Sequence, residues 1–238
     1  MKKLIETHIP GLDEILKGGL REGNAVLVTG PPGTGKTILC LQFILEGAKN
    51  GKPGIYMTSE ETVDDIRGYA ESLGYDIKKL EKEGLVTLVH QPISTKKLMT
   101  IAMPINVIIK KKIKRVVLDS ITLLKYGNIS EDTQYRKEIL DFVTSMKETG
   151  VNLMGISEKS ISNIDNLHYD PEDFLFDGLL ILTKIRKGAS YEHTIHISKM
   201  RGQDHAVDIF PFKINNKGLE IFPKQPPFSL IEKEGNFK

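Results

Sequence analysis

The sequence predicts an α/β fold: a mostly parallel central sheet flanked by helices, with an antiparallel β extension at its C-terminal edge. Two patterns lead to this prediction. Short apolar runs alternate with longer helical patterns from residue 24 to residue 157, as in successive βαβ units. From Leu179 onward, β-rich runs follow one another directly and are joined by turn residues, which is typical of hairpins.

The first unit is the clearest. Asn24–Thr29 is nearly all apolar, as a strand buried on both faces should be. A Gly/Pro turn over 30–35 leads into a helix predicted for Lys36–Ala48, whose apolar residues recur at three- and four-residue steps. Gly51 ends this helix, and a second strand is predicted over Ile55–Thr58.

Seven elements are predicted next. They are helices over Val63–Leu73 and Ile77–Glu83, a strand over Leu85–His90, a helix over Lys97–Lys112, a strand over Arg115–Asp119, a helix over Glu131–Glu148 and a strand over Val151–Ser157. Pro104 is expected to kink or break the helix that contains it, and Ser130 to cap the helix at Glu131.

The C-terminal part is predicted to be β-rich. Its runs are Leu179–Ile185, His193–Lys199, and Ile209–Ile214 followed by Leu219–Phe222. We expect residues 1–224 to form a single domain and residues 225–238, Pro-rich at their start, to form a tail.

Composition limits the classes of function. The 238 residues carry a net charge of +2, so no overall positive charge points to nucleic acid. The single cysteine excludes an internal disulfide and a cysteine-rich metal site, and the six histidines lack metal-ligand spacing. No apolar run approaches the roughly 20 residues of a membrane span, and the N-terminus is not typical of a secretory signal. We therefore expect a soluble, cytoplasmic protein with no membrane partner.

A phosphate-binding loop is the strongest motif in the chain. Its residues are Gly30, Pro31, Pro32, Gly33, Thr34, Gly35, Lys36 and Thr37, which match G-x-x-x-x-G-K-[ST] between a strand and a helix. Glycines let successive backbone N–H groups turn toward phosphate oxygens, and the helix N-terminus adds positive charge. Lys36 is predicted to reach the β- and γ-phosphates of ATP, and the Thr37 hydroxyl to ligate Mg²⁺.

Acidic residues follow two neighbouring predicted strands. Asp119 ends an apolar strand and is predicted to join Thr37 in the Mg²⁺ shell, as a Walker B aspartate does, although an aspartate there could also cap the next turn. Glu60 and Glu61 follow the second strand. One of them is predicted to polarise water for hydrolysis while the other orients it; capping of the next helix is the alternative.

The motifs together resemble one family, the KaiC-like branch of the RecA superfamily. The resemblance covers about residues 7–223 and lies in several blocks, which occur in the family's order. They are Pro10–Gly23 before the phosphate loop, Ser59-Glu60-Glu61-Thr62, Leu118-Asp119-Ser120, Ser198–His205 with its Lys-Met-Arg-Gly signature, Pro211–Ile214 and Gly218–Pro223.

This resemblance implies a RecA-like ATPase that assembles as a homo-oligomeric ring, usually of six subunits, with nucleotide between neighbours. Glu60 would be the base that activates water, helped by Glu61, and Lys199 and Arg201 would reach the γ-phosphate held by the adjacent subunit. The family's base and ribose pocket falls on a further set of positions. They are Ser72, Met200, Gln203, His205 and Asn216. A solvated β-turn is the alternative role for Lys199 and Arg201.

The resemblance also has a departure. Clock-protein members of the family carry two such domains in tandem and phosphorylate a Ser-Thr pair. The matching positions here are Asp173 and Phe174, which have no aliphatic hydroxyl, so an autokinase reaction at that site is not expected.

Three functions stay open from the sequence. The first is slow, Mg²⁺-dependent hydrolysis of ATP to ADP that couples nucleotide state to an unknown protein partner. The second is a recombinase-paralogue role on single-stranded DNA or on a recombinase. The third is a nucleotide-gated binding module with little turnover. DNA binding is disfavoured because the loop Glu158–Asp177 carries six acidic residues against one lysine, and because the basic run 110–115 reads as a solvated helix end.

Overall fold

The computed structural model of the protein describes residues 3–90, 102–122, 132–161 and 167–227. The helices are α1 (Leu12–Ile15), α2 (Lys36–Lys49), α3 (Val63–Ser72), α4 (Ile77–Lys82), α5 (Ala102–Lys111) and α6 (Asp132–Glu148), with a 3₁₀ helix at Pro171–Phe174. The strands are β1 (Leu4–Ile5), β2 (Leu20–Arg21), β3 (Ala25–Gly30), β4 (Gly54–Thr58), β5 (Val86–His90), β6 (Arg115–Asp119), β7 (Asn152–Glu158), β8 (Gly178–Lys187), β9 (Ser190–Met200), β10 (Ile209–Asn215) and β11 (Gly218–Ile221).

Nine of these strands form one mixed sheet in the order β11-β10-β9-β8-β3-β7-β6-β4-β5. Pairing is parallel from β8 through β3 to β5 and antiparallel from β8 to β11. The predicted fold class is therefore confirmed, including the antiparallel extension made by the C-terminal strands. The carboxyl ends of β3, β4, β6 and β7 meet at one edge, which is where a ligand binds in sheets of this kind.

Alternate residues of the central strands enter two separate cores. Val26 and Val28 of β3 pack into the layer beneath α2, α3 and α4, while Ala25 and Leu27 pack into the layer beneath α5 and α6. Because both faces are covered, β3 is buried at every position, as its apolar sequence indicates.

The N-terminal elements were not predicted from the sequence. β1 pairs antiparallel with β2 in a separate two-stranded sheet, and α1 lies between them. Two-residue strands are too short to show alternation of apolar and polar residues, so only tertiary pairing reveals them.

Pro104 was expected to kink or break the helix predicted over Lys97–Lys112, and this stays a prediction, because residues 97–101 lie outside the described residues. The described part of this helix, α5, covers Ala102–Lys111 and contains Pro104 near its start. Lys97, the predicted start of that helix, and Ser130, the predicted cap of α6, lie outside the described residues. The tail predicted for residues 225–238 is described only to residue 227, so the domain boundary stays a prediction.

The basic run differs from expectation at one residue. Lys110, Lys111, Lys112 and Lys114 are exposed as predicted, but the Arg115 side chain is 1% exposed. Its guanidinium donates hydrogen bonds to the carbonyl oxygens of Thr7 (3.0 Å), Phe43 (2.5 Å) and Glu6 (2.6 Å). Burial lowers the pKa of Arg115 to about 10. The residue therefore connects the N-terminal segment to α2 through the core.

The acidic loop also differs from expectation. Glu172, Asp173 and Asp177 are buried, and the lysine among them, Lys159, is buried as well. The Lys159 ammonium pairs with Asp173 and, at 3.1 Å, with Asp170. The described part of the loop is thus folded around an internal cation, and summing its formal charges overstated the repulsion that it would exert on phosphates.

We predict that Arg115→Met lowers the free energy of unfolding by about 3–5 kcal/mol, because three buried carbonyl oxygens lose their donor. Urea denaturation followed by circular dichroism measures this change. Lys114→Met is the matched control, since Lys114 is exposed, and its effect should stay within about 0.5 kcal/mol. Equal stability of the two variants would contradict a structural role for Arg115.

Candidate functional site

The phosphate loop is curled by its glycines. β3 ends at Gly30 and α2 begins at Lys36. A side chain at Gly30 would overlap the Leu182 carbonyl, and a Cβ at Gly35, whose φ is +95°, would lie 2.6 Å from Ile214 Cδ1. Only glycine fits both places without strain. The loop is also held from within, since the Thr34 hydroxyl donates to the Pro31 carbonyl at 2.8 Å.

Lys36 and Thr37 open the helix behind this loop. The Lys36 ammonium donates to the carbonyl oxygens of Gly30 (2.9 Å) and Pro31 (3.0 Å), and burial lowers its pKa. The Thr37 hydroxyl donates to Asp119 Oδ2 at 3.2 Å. Both side chains are therefore at the mouth of the loop, where the motif predicts them.

Asp119 lies at the carboxyl end of β6, beside the loop. The Tyr56 hydroxyl donates to its Oδ2 at 2.5 Å. Burial raises the pKa of Asp119 to about 6, and the Glu60 carboxylate adds to this effect, while the hydrogen bonds from Tyr56 and Thr37 oppose it. Metal-free Asp119 is thus a carboxylate whose charge is poorly compensated.

The two glutamates follow β4 at the same edge, and each has its own partner. The Ser120 hydroxyl donates to Glu60 Oε1 at 2.5 Å, and the Tyr69 hydroxyl donates to Glu61 Oε1 at 2.7 Å. Glu61 Oε2 is buried and has no hydrogen-bond partner in the described structure. Neither carboxylate caps α3, because the cap is Thr62, whose hydroxyl accepts from the Asp65 amide at 3.2 Å.

These groups line a common pocket of about 400 Å³. Its walls include Pro32, Gly33, Gly35, Lys36, Thr37, Ile38, Glu60, Glu61, Tyr69, Asp119, Ser120 and Glu158. Sequence reasoning missed Tyr69, Ser120 and Glu158 as pocket residues. For Glu158 a signal was available, since it ends β7, the strand that pairs with β3.

The donor set of the pocket fits a hard cation. A threonine hydroxyl and a carboxylate lie 3.2 Å apart at Thr37 and Asp119, and oxygen ligands of this kind suit Mg²⁺. The glycine-lined loop beside them and the unpartnered oxygen of Glu61 leave room and hydrogen-bonding capacity for a nucleotide phosphate and a water. The residues present therefore fit the group that the motif implies.

Lys199 and Arg201 are not among the pocket residues of their own chain. Lys199 pairs with Leu179 of β8, which pairs in turn with Leu27 of β3. Because Leu27 precedes Gly30 by three residues, Lys199 lies about 10 Å below the phosphate loop along the strand direction. Its ammonium donates to the Asp173 carbonyl at 2.8 Å, and the Arg201 guanidinium donates to the Phe174 carbonyl at 3.2 Å.

The residues assigned to a base and ribose pocket form two separate groups. Ser72, at the end of α3, donates to the Tyr69 carbonyl at 2.7 Å, and Asn216 is exposed in the β10–β11 turn nearby. Met200 is buried against Gly178 and Val26. Gln203 donates to the carbonyls of Leu16 and Gly19 near the N-terminus, at 3.1 and 2.8 Å.

His205 belongs to this second group, two residues after Gln203 in the chain. It contacts the Ala206 carbonyl at 2.8 Å through its ring nitrogen Nδ1. The structure thus does not bring Met200, Gln203 and His205 to the phosphate loop of the same chain.

Comparison with known proteins identifies the family. A family model described as "ATPase: KaiC" matches residues 5–226. The chain belongs to the KaiC family of ATPases. It is a KaiC-like ATPase domain of the RecA superfamily, and membership supports nucleotide binding and ATPase activity in general.

Two curated relatives and one solved structure illustrate this membership. The chain is 31% identical to the circadian clock oscillator protein KaiC of Synechococcus elongatus over 92% of its length, and 34% identical to that of Nostoc sp. over the same share. It spans 44% of the length of each of these relatives. The crystal structure of the KaiC-like protein PH0186 from Pyrococcus horikoshii matches with a TM-score of 0.83 and 32% identity, over 94% of this chain and all of that one.

Two further features concern membrane-spanning helices and metal-binding clusters. No helix in the described ranges combines the length and apolar character that crossing a membrane requires. Among those same residues, no group of three or more histidine, cysteine, aspartate or glutamate side chains is arranged to hold a metal ion.

We predict that Asp119→Asn stabilises the protein without metal or nucleotide at pH 8, by about 1–3 kcal/mol. The pKa of Asp119 is about 6 when folded, against an ordinary value of 3.8. The folded state therefore holds this proton more tightly, and its advantage is lost as the pH rises from about 4 to about 6. Asparagine resembles the protonated form and avoids that loss.

Urea denaturation at pH 4 and at pH 8 measures this effect. The stability difference between Asp119→Asn and wild type should be near zero at pH 4 and clear at pH 8. Asp208→Asn, at an exposed aspartate, is the control and should show no such dependence. A variant that is less stable at both pH values would show that the hydrogen bonds of Asp119 outweigh its burial.

Proposed function

We propose that the domain binds ATP with Mg²⁺ at residues 30–37 and hydrolyses it slowly at a site shared between neighbouring subunits of a ring. The observation that carries this proposal is the charge of the pocket. Among the pocket-lining residues, one cation, Lys36, faces four carboxylates, those of Glu60, Glu61, Asp119 and Glu158, and the Lys184 ammonium lies beside the loop, 3.2 Å from the position that a Cβ would take at Gly33. A triphosphate is strongly anionic, and two cations against four carboxylates leave a site that further positive charge would suit.

Two sources of positive charge would correct this imbalance. Mg²⁺ bound through Thr37 and Asp119 would neutralise charge on the β- and γ-phosphates. The ammonium of Lys199 and the guanidinium of Arg201 lie on another part of the chain, and in a ring they would face the nucleotide of the next subunit. Cations supplied in this way stabilise the charge that develops during phosphoryl transfer, as an arginine finger does.

The two glutamates have different roles in this proposal. Glu60 would accept a proton from the attacking water, and the Ser120 hydroxyl at 2.5 Å would hold it in place. Glu61 would orient Glu60 and the water, and its buried, unpartnered Oε2 is available for that contact. Lys36 would exchange the Gly30 and Pro31 carbonyls for phosphate oxygens.

The separation of the predicted base-pocket residues supports the same arrangement. Ser72 and Asn216 would contact the nucleotide from the chain that holds its phosphates. Met200, Gln203 and His205 lie with Lys199 and Arg201 and would approach it from the neighbour. The KaiC relatives favour a homo-oligomer. A hexamer, coupling to a protein partner and a cytoplasmic location stay predictions.

We predict that Glu60→Gln keeps ATP binding and lowers the rate of phosphate release at least about 100-fold, because the general base is lost. Phosphate release with Mg²⁺ and equilibrium binding of a fluorescent ATP analogue measure the two properties. Glu83→Gln, at an exposed glutamate directly after α4, is the control and should match wild type.

Other outcomes of this experiment favour the alternatives. A wild-type protein that binds ATP but releases no phosphate would be a nucleotide-gated binding module. Salt-sensitive binding to a labelled single-stranded oligonucleotide would favour the recombinase-paralogue function. Absence of ATP binding by wild type would contradict all three.

We predict that two inactive variants, Glu60→Gln and Arg201→Ala, regain activity when mixed before ATP is added. In a mixed ring, the phosphate loop of an Arg201→Ala subunit can lie against the Arg201 side of a Glu60→Gln subunit. That interface contains both Glu60 and Arg201. Random assembly places such a pair at about one interface in four, so the mixture should approach about a quarter of the wild-type rate. A mixture as inactive as its components would contradict a shared site.

A further inference from the structure

A chain of polar contacts connects the phosphate loop to the residues that face the neighbouring subunit. It starts at the Gly30 carbonyl oxygen, which accepts two hydrogen bonds. One comes from the Lys36 ammonium at 2.9 Å and the other from the Lys159 backbone amide at 3.2 Å. Lys36 must leave this carbonyl to reach a phosphate. Nucleotide binding would therefore change the hydrogen bonding of Gly30, and with it the contact between Gly30 and the segment that begins after β7.

The side chain of Lys159 continues the connection. It is buried, and its ammonium contacts Asp173, Asp170 Oδ2 at 3.1 Å and the His168 carbonyl at 3.0 Å. Burial alone would lower the pKa of Lys159, but the hydrogen bonds that its ammonium donates to Asp173 and Asp170 raise it, so the cation is maintained. Asp173 Oδ2 also accepts the Asp170 amide at 2.8 Å, which closes the 3₁₀ turn.

Backbone carbonyls of the 3₁₀ helix in turn accept hydrogen bonds from the two cations that are assigned to the neighbour's nucleotide. Lys199 donates to the Asp173 carbonyl at 2.8 Å, and Arg201 donates to the Phe174 carbonyl at 3.2 Å. A lysine that loses rotamer freedom on a fixed carbonyl is positioned at lower entropic cost than one free in solvent. The orientation of both cations therefore depends on where Lys159 holds residues 170–174.

We propose that Lys159 is a positioning residue that links each phosphate loop to Lys199 and Arg201 of the same chain, so that the nucleotide state of one site sets the hydrolytic competence of the next. This inference rests on the proposed shared site. It adds a direction: nucleotide binding at the loop of one subunit would shift its own 3₁₀ helix and thereby change how Lys199 and Arg201 meet the nucleotide held by the neighbour. Lys159 contacts no reacting atom in this arrangement.

Complementation between variants tests this assignment. Lys159→Met removes the ammonium but keeps an unbranched side chain of similar length. If Lys159 acts through Lys199 and Arg201, Lys159→Met keeps ATP binding and loses hydrolysis at least about tenfold. Mixed with Glu60→Gln, it should then recover toward about a quarter of the wild-type rate, because each partner supplies the face that the other lacks. Mixed with Arg201→Ala, it should stay inactive, because both variants lack the same face.

The controls separate the possible failures. Lys82→Met, at an exposed lysine of α4, should match wild type. If Lys159→Met recovers activity with Arg201→Ala but not with Glu60→Gln, Lys159 acts at the phosphate loop and the proposal is overturned. Recovery with both variants, or with neither, would also overturn it. So would wild-type activity of Lys159→Met alone. Failure of the reference mixture of Glu60→Gln and Arg201→Ala would instead overturn the shared site, and the linkage with it.

A second variant covers loss of folding. Asp170 is partly exposed, so Asp170→Asn weakens the pairing from outside the core, and it should show the same complementation pattern with a smaller defect. Lys159→Arg keeps the cation and should recover part of the activity. A Lys159→Arg variant as defective as Lys159→Met, with Asp170→Asn at wild-type activity, would show that only packing at residue 159 matters.

Discussion

The parallel pairing of β3 with β7, and of β6 with its two neighbours, is the constraint on which the site depends. Register places Gly30 opposite Glu158 and Thr58 opposite Asp119. The phosphate loop, the Asp119 carboxylate and the glutamate pair are therefore brought to one edge although they are far apart in sequence. A slip by one residue would turn the core residues of a strand to the wrong face, so the packing of two apolar layers fixes the geometry of the site.

The same packing leaves the site electrostatically unbalanced. Carboxylates at the ends of adjacent parallel strands cannot move apart, and burial raises the pKa of Asp119 to about 6 without restoring a balance of charge. In the proposed arrangement, a cation and a neighbouring subunit would both relieve this imbalance. On that proposal, ligand binding and assembly would favour each other, since each would bring positive charge to the same pocket.

The sequence predicted the parts of the molecule in which local pattern and tertiary role agree. Apolar runs identified the buried strands, and the glycine-rich loop identified its own conformation, because a backbone that must approach phosphate needs glycine in any context. The positions of Glu60, Glu61 and Asp119 followed from the rule that ligands bind at strand ends. Tyr69 could not be found in this way: it lies in the middle of a helix, and only the packing of α3 against the sheet brings its hydroxyl to Glu61.

The two errors about charge, at Arg115 and Lys159, share one physical cause. Arg115 and Lys159 were counted as surface charge, because a sequence gives formal charge and not solvent exposure, and buried cations are rare. Burial changes what such a residue does. A cation in solvent contributes a weak, screened field, whereas a buried cation needs hydrogen-bond acceptors and so fixes the segments that supply them. Arg115 fixes the N-terminal segment against α2, and Lys159 fixes the 3₁₀ helix beside the phosphate loop. These two buried cations thus hold distant parts of the chain in a single arrangement, and the contacts of Lys159 connect the phosphate loop to the segment on which Lys199 and Arg201 rest.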